Sequence, residues 1–253
     1  MRRKIIAGNW KMNLDHMESA TLAEGLVSGL RAGGSSAEVI VFPPFTSIPA
    51  VAASLDGSEI LFGAQDLWYE PSGAFTGEIS AGMLRSLGCS HVLVGHSERR
   101  HVIGEDGGLL AKKLRAALDA GLKPVFCVGE LLEQRESGRA TEVVSQQLSE
   151  VLDGLDHEQV SDTVIAYEPV WAIGTGKTAT PGDASSMHGF IRGWILSAFG
   201  EEAAGAMPIL YGGSVKPDNA GSLLASPDID GALVGGAALD RDSFLDIVFS
   251  NST

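Results

Sequence analysis

Eight short aliphatic runs recur along this chain, and each is followed by a glycine, a proline or a polar residue and then by a longer stretch with helical spacing. Nearly continuous apolarity is typical of a parallel β-strand that is buried on both faces. The runs are residues 5–7, 39–42, 60–62, 92–94, 125–128, 164–167, 209–211 and 232–234. The pattern therefore predicts strand and helix alternating from one end of the chain to the other.

The predicted helices carry leucines on one face, at positions i, i+4 and i+8 within residues 17–31 and 109–120. Eight strand–helix units in 253 residues fit a closed (β/α)8 barrel, whereas an open doubly wound sheet usually has fewer strands. No linker or low-complexity segment divides the sequence. We therefore predict an α/β protein that folds as a single (β/α)8 domain over residues 1–253.

The formal net charge of −14 argues against a nucleic-acid partner, since nucleic acids are usually bound by a concentrated basic face. The basic start, residues 1–4, is followed by only three apolar residues, and no run is long enough for a signal peptide or a membrane span. Cys89 and Cys127 are the only cysteines, which indicates packing residues in a reducing compartment. We expect a cytoplasmic protein that has neither a membrane nor a nucleic acid as partner.

In a (β/α)8 barrel the active site lies where the strands end, so the residues that follow the apolar runs are the candidates. Five of the eight predicted strands end in groups with useful chemistry. These ends are Gly8-Asn9-Trp10-Lys11, Gly95-His96-Ser97-Glu98, Glu168-Pro169, Gly212-Gly213-Ser214 and Gly235-Gly236. A carboxylate, an imidazole, an ammonium group and glycine-rich turns are thus predicted on one face.

Glu168 follows four apolar residues and precedes Pro169, which stiffens the turn and removes a donor. Partial burial makes a carboxylate a stronger base, and a positioned general base contributes roughly 10²- to 10⁴-fold to a rate.

Residues 169–177 combine apolar side chains with glycines, the composition of a lid that excludes water. The stretch ending at Lys177 is not a P-loop, because the first glycine of that motif would fall at Trp171. Glu168 is therefore the candidate base beneath a lid.

His96 is predicted at the start of a short helix, where backbone N–H groups and the helix dipole disfavour a cation. The ring is expected to be neutral and to donate a hydrogen bond to a substrate oxygen. His101 lies five positions later, roughly 140° around a helix, so the two histidines are not a metal-binding pair.

Lys11 is the simplest local attraction for an anion, and Asn9 is expected on the same side of an extended segment.

Glycine-rich turns at the ends of the seventh and eighth strands are where barrels commonly hold phosphate on backbone N–H groups. Ser214, Gly235 and Gly236 are the candidates here. Ser214 is not a nucleophile-elbow serine, because that motif needs glycine where Lys216 stands. We therefore predict Ser214 as a phosphate donor.

The sequence resembles the triosephosphate isomerase family over essentially its whole length. The resemblance rests on five segments in the family's order, which are residues 8–13 (GNWKMN), 94–100 (VGHSERR), 166–176 (AYEPVWAIGTG), 211–215 (YGGSV) and 235–236 (GG). Five such segments in one order are highly specific. The resemblance implies a TIM barrel that interconverts dihydroxyacetone phosphate and D-glyceraldehyde 3-phosphate in glycolysis and gluconeogenesis.

The resemblance also implies a role for each candidate, with neither a metal nor an organic cofactor. Glu168 would transfer the proton between neighbouring carbons, neutral His96 would polarise the carbonyl, and Lys11 and Asn9 would stabilise the enediolate. Glu98 would tune or orient Lys11. Backbone N–H groups would hold the phosphate, at the residues Gly174, Ser214, Gly235 and Gly236. The residues from Gln65 to Ser80 resemble the family loop that inserts into a second subunit, which implies a homodimer in which Thr76 approaches the partner's site.

Two other functions compete with an isomerase for a barrel of this kind. A barrel aldolase that forms a Schiff base needs a lysine on a strand, typically the sixth, and residues 163–168 contain none. A barrel that binds sugar phosphates without chemistry remains an alternative, although it does not explain why Glu168, His96 and Lys11 occur together.

Overall fold

Eight parallel strands close into a barrel in the computed structural model, which describes residues 2–173 and 179–250. Each strand pairs with its sequence neighbours, and β1 pairs with β8 to close the sheet. The strands are β1 (Ile5–Asn9), β2 (Glu38–Phe42), β3 (Leu61–Ala64), β4 (His91–Val94), β5 (Lys123–Val128), β6 (Val164–Tyr167), β7 (Ile209–Tyr211) and β8 (Gly231–Val234). The predicted (β/α)8 fold is confirmed.

Helices surround the barrel within the described ranges. They are α1 (His16–Gly33), α2 (Ile48–Leu55), α3 (Ala81–Ser86), α4 (Gly107–Asp119), α5 (Leu132–Glu136), α6 (Ala140–Leu152), α7 (His157–Ser161), α8 (Pro181–Ala206), α9 (Pro217–Leu224) and α10 (Arg241–Phe249). Short 3-10 turns lie at Phe45–Ser47, Val170–Ala172 and Gly236–Leu239, and a π-helical turn lies at Arg99–Ile103. The helices place one layer of apolar side chains against the outside of the sheet.

The sequence specifies the start of α1 through a capping box. The Asp15 carboxylate accepts the backbone N–H of Glu18, and the Glu18 carboxylate accepts the backbone N–H of Asp15, at 2.9 Å each. This exchange satisfies donors that a helix start otherwise leaves unpaired. The predicted helix of residues 17–31 is therefore present and is slightly longer at both ends.

The third strand differs from its predicted bounds of 60–62, since β3 runs on through Gly63 to Ala64. Glycine is a weak strand former, so the apolar pattern ends at Phe62. A Cβ at Gly63 would lie 2.4 Å from the backbone oxygen of His91 on the neighbouring strand. Close contact between the two backbones therefore requires glycine at this point.

Two apolar layers form the core. Inward-facing side chains such as Phe42, Leu93 and Leu210 fill the barrel, and outward-facing side chains such as Ile6, Val41 and Phe126 pack under the helices. This alternation is the period-two pattern of strands buried on both faces. The barrel is a packed core, so ligands have access at its ends and not through its centre.

Candidate active site

A cavity of about 520 Å³ opens at the carboxyl end of the strands. Residues that follow five different strands contribute to its wall. The lining residues include Asn9, Lys11, His96, Glu168, Ile173, Gly212, Gly213, Ser214, Gly235 and Gly236. Among the residues that the structure describes, all the predicted site residues except Glu98 therefore lie around one space.

The segment after β1 turns sharply at Lys11. The φ angle of Lys11 is 53°, in the left-handed region that costs a non-glycine residue about 1–3 kcal/mol. The backbone N–H of Lys11 donates to Oδ1 of Asn9 at 2.9 Å, and Nε2 of Gln65 donates to the Lys11 carbonyl at 2.7 Å. Asn9 and Lys11 thus reach the same cavity because the chain turns between them, and not because the segment is extended as predicted.

Glu98 contacts Lys11 beside this cavity. Oε1 of Glu98 lies 2.6 Å from Nζ of Lys11, and the two side chains are half-exposed. Glu98 also lines a second cavity, of about 550 Å³, next to the first. The contact is the one expected of a carboxylate that orients the lysine, and its partial exposure makes it a weak source of stability.

His96 directly precedes a helical turn, as the sequence predicts. Its carbonyl accepts the backbone N–H groups of Arg99 and Arg100 at 2.8 and 3.1 Å. The turn continues as the π-helical turn Arg99–Ile103, which is longer than the predicted stretch. On the ring, Nδ1 accepts the backbone N–H of Glu98 at 3.3 Å, so in a neutral ring the proton lies on Nε2.

Glu168 is buried at the end of β6, and both of its carboxylate oxygens are bonded. Oε1 lies 2.9 Å from Nε2 of His96, and Oε2 accepts the backbone N–H of Ser97 at 2.8 Å. A Cβ at Gly212 would lie 2.8 Å from Cγ of Glu168, so glycine there makes room for the carboxylate. The base candidate is therefore held between the ends of β4, β6 and β7.

The pKa values of this pair shift toward the charged forms. Burial by itself raises the pKa of Glu168, but the imidazole of His96 and the N–H of Ser97 reverse this effect and lower it. Burial lowers the pKa of His96, but the Glu168 carboxylate reverses this effect and raises it. Both directions differ from the sequence-based expectation, which considered burial and the helix terminus but not the pairing of the two residues.

The phosphate-binding candidates that follow β7 and β8 also contribute to the wall of the cavity. Ser214, Gly235 and Gly236 all line it, and a Cβ at Gly235 would lie 3.6 Å from Cε of Lys11. Gly213 lies against Tyr211, whose hydroxyl would be 2.2 Å from a Cβ at that position. Gly174 lies outside the described residues, as do residues 175–177 of the predicted lid.

The described start of the predicted lid is held by Glu130, a buried residue that the sequence analysis missed. Its carboxylate accepts from Nε1 of Trp171 at 2.9 Å and from the Tyr167 hydroxyl at 3.1 Å. The guanidinium of Arg135 lies 4.6 Å from the centre of the Trp171 ring. The signal was available, because Gly129 and Glu130 follow the fifth apolar run in the same way that candidates follow the other runs.

Comparisons with known proteins show that this barrel is an aldose–ketose isomerase, and they also give its family. Residues 4–251 match the family model described as triosephosphate isomerase. The triosephosphate isomerase of Roseiflexus castenholzii is 54% identical over 248 residues, which cover 98% of this chain and 97% of the relative. That of Moorella thermoacetica is 55% identical over 250 residues, with 98% of each chain covered. The chain belongs to the triosephosphate isomerase family.

Proposed function

We propose that this protein interconverts dihydroxyacetone phosphate and D-glyceraldehyde 3-phosphate, with Glu168 as the base. The observation that carries the proposal is the 2.9 Å contact between Glu168 and His96 in a cavity that Lys11 also lines. A carbon acid beside a carbonyl needs a base at the carbon and a donor at the oxygen. These two side chains supply both from adjacent positions.

The reaction begins when Glu168 takes a proton from the carbon next to the carbonyl. The C–H electron pair becomes the carbon–carbon double bond of an enediolate, and the carbonyl π electrons move onto oxygen. His96 donates from Nε2 to that oxygen, and the Lys11 ammonium and Asn9 amide stabilise its charge. Glu168 then returns the proton to the neighbouring carbon, while His96 relays the hydroxyl proton from the oxygen of the first carbon to the oxygen of the second. The first carbon thereby becomes the carbonyl and the second carries the hydroxyl, so the step needs no oxidant or reductant.

The phosphate is proposed to lie against Ser214, Gly174, Gly235 and Gly236, through backbone N–H groups. Such groups bind an anion without adding a mobile charge. In a protein of net charge −14 the attraction has to be local, and Lys11 beside Gly235 supports it. We also propose that residues 169–177 close over the substrate and exclude water from the enediolate.

A coupled isomerase assay on the purified chain tests this proposal. Turnover of both triose phosphates is expected, with competitive inhibition by inorganic phosphate. The Glu168→Gln variant is the matched control, because it removes the base and keeps the shape of the side chain. Phosphate binding without turnover in the unchanged chain would instead support the non-catalytic sugar-phosphate-binding barrel.

A homodimer is proposed from the surface beside the site. Met12, Val102 and Ile103 are 94%, 77% and 63% exposed, and they line the cavity that also contains Lys11 and Glu98. Apolar side chains this exposed indicate an interface. The residues from Gln65 to Ser80 are proposed to insert there, with Thr76 toward the partner's site. Sedimentation at micromolar concentration should give a dimer, and a monomer alone would contradict the proposal.

We propose a cytoplasmic enzyme of glycolysis and gluconeogenesis that folds as one domain and needs no cofactor. Among the described helices, none is both long and apolar enough to cross a membrane. The pairing of β1 with β8, which joins the two ends of the chain in one sheet, supports the single domain.

A further inference from the structure

The side-chain amide of Gln147, on α6, forms hydrogen bonds with both backbone polar groups of Gly129. The backbone N–H of Gly129 donates to Oε1 of Gln147 at 2.8 Å, and Nε2 of Gln147 donates to the Gly129 carbonyl at 3.0 Å. One side-chain amide thus satisfies both polar groups of Gly129. Two bonds from one planar group fix orientation as well as distance.

Gly129 requires such a partner because it lies just beyond the sheet. The pairing of β5 with β6 runs from Val125 opposite Val164 to Val128 opposite Tyr167. Gly129 is the next residue, and it is buried. A buried peptide without a ladder partner is costly unless another group bonds to it. Gln147 supplies that group from the helix layer.

Gly129 in turn lies against the backbone of Glu168. A Cβ at Gly129 would be 1.7 Å from the Glu168 carbonyl oxygen and 2.6 Å from its carbonyl carbon. The N–H of Glu168 donates to the Val128 carbonyl at 2.7 Å, and the N–H of Val170 donates to the Glu130 carbonyl at 3.2 Å. The segment around Gly129 therefore packs against the backbone of Glu168 and is hydrogen-bonded to it and to Val170.

The packing of α6 does not depend on Gln147. The helix buries Val144, Leu148, Val151 and Leu152 in the core, and these side chains hold it against the barrel. The side chain of Gln147 is only half-buried and adds no apolar contact of that kind. Its two hydrogen bonds serve the position of Gly129.

We infer that Gln147 is a positioning residue for Glu168, acting through Gly129; the inference rests on the proposed role of Glu168 as the base. A reacting group displaced by about 1 Å can lose roughly 10²-fold in rate. Gln147 fixes Gly129, Gly129 fixes the Glu168 backbone, and the carboxylate projects from that backbone toward His96. The phosphate-binding residues of β7 and β8 do not belong to this chain of contacts.

The variant Gln147→Glu tests the inference through pH. A protonated carboxyl group has one oxygen that accepts from the Gly129 N–H and one O–H that donates to the Gly129 carbonyl, as the amide does. An ionised carboxylate only accepts, and it places a negative oxygen against that carbonyl. The ratio of kcat for the variant to kcat for the unchanged chain should be within about twofold of one at acid pH, and should fall about tenfold or more as the introduced carboxyl ionises.

Gln146→Glu is the matched control, since it makes the same change one residue earlier on the same helix. The Gln146 amide donates to Glu150 at 2.7 Å on the exposed face of α6 and does not contact Gly129. Its kcat ratio should be independent of pH. The inhibition constant for inorganic phosphate should stay within about twofold in both variants, because the phosphate-binding wall is unchanged.

A kcat ratio for folded Gln147→Glu that does not change with pH would overturn the inference. A variant in which only KM changes and kcat stays the same would overturn it as well. Gln147→Met, of similar size but without hydrogen bonds, should lower kcat about tenfold or more at every pH, and full kcat in this variant would also overturn it. If neither variant folds, Gln147 is a structural residue and the inference is wrong. Failure of the proposed function is distinguishable, because the unchanged chain itself would then show no turnover.

Discussion

Nε2 of His96 lies 2.9 Å from Oε1 of Glu168, so the proposed hydrogen-bond donor to the substrate and the proposed base are hydrogen-bonded to each other. The second carboxylate oxygen of Glu168 is bonded to the N–H of Ser97 at 2.8 Å. These contacts lower the pKa of Glu168 against the effect of its burial. Releasing either contact when substrate binds would raise that pKa and make Glu168 a stronger base, which ties its basicity to substrate binding.

Replacing His96 with Gln should raise the pKa of Glu168, because the attraction of the imidazole is lost while the burial remains. The acid limb of kcat/KM, which reports the free enzyme, should therefore move to higher pH. The rate should fall by about 10²- to 10⁴-fold at the optimum. His101→Gln, on the exposed side of the same turn, is the control. An acid limb that stays in place or moves to lower pH would refute the pairing.

Lys11→Met should weaken the binding of inorganic phosphate by about tenfold or more, since one nearby charge is worth more than 1 kcal/mol at an effective dielectric of about 20. The inhibition constant at low salt measures this effect. Lys123→Met is the control, because Lys123 starts β5 at the opposite end of the barrel. Equal affinity in Lys11→Met and the unchanged chain would remove Lys11 from the anion site.

Gly212→Ala should displace the base, since the added methyl would lie 2.8 Å from Cγ of Glu168 and 3.2 Å from the Tyr167 carbonyl. We expect kcat to fall about tenfold or more and stability to fall by about 1–3 kcal/mol from overpacking. Gly193→Ala on α8 is the control, because no atom lies within 4 Å of its Cβ position. Full kcat in Gly212→Ala would show that the carboxylate tolerates a shift.

His91 should make stability depend on pH. Burial, followed by the charges of Lys123 and Arg3, lowers the pKa of His91 to about 3. The unfolded chain binds one more proton there between about pH 6.5 and pH 3, so the free energy of unfolding falls as pH decreases through that window. In His91→Gln the loss between pH 7 and pH 5 should be smaller by about 2 kcal/mol, as measured by denaturant unfolding. An unchanged loss would contradict the lowered pKa.

The fold was predictable because strands buried on both faces leave an uninterrupted apolar signal. Seven of the eight runs lie wholly inside an observed strand, and only the third is displaced at Ile60, where the strand continues through Gly63. The glycine that allows close backbone contact carries no apolar signal. The pairing of β8 with β1 was predictable only from the count of eight strand–helix units, because no single residue indicates it.

The site was predictable where one strand end carries the chemistry, as at Glu168, His96 and Lys11. The pKa directions of the pair were not, because they depend on the 2.9 Å contact between two strand ends that are far apart in sequence. Gln147 gave no signal either, because a glutamine on a helix looks like an exposed residue until its partner Gly129 is known. Residues that act through another residue become visible only in the structure.

The most direct test of the account is hydrogen exchange in the Glu168→Gln variant. Incorporation of solvent deuterium into dihydroxyacetone phosphate isolates proton abstraction from every later step. We predict a loss of about 10²- to 10⁴-fold in the exchange rate, with phosphate affinity within about twofold of the unchanged chain. Exchange at the rate of the unchanged chain would show that another group takes the proton and would contradict the central claim.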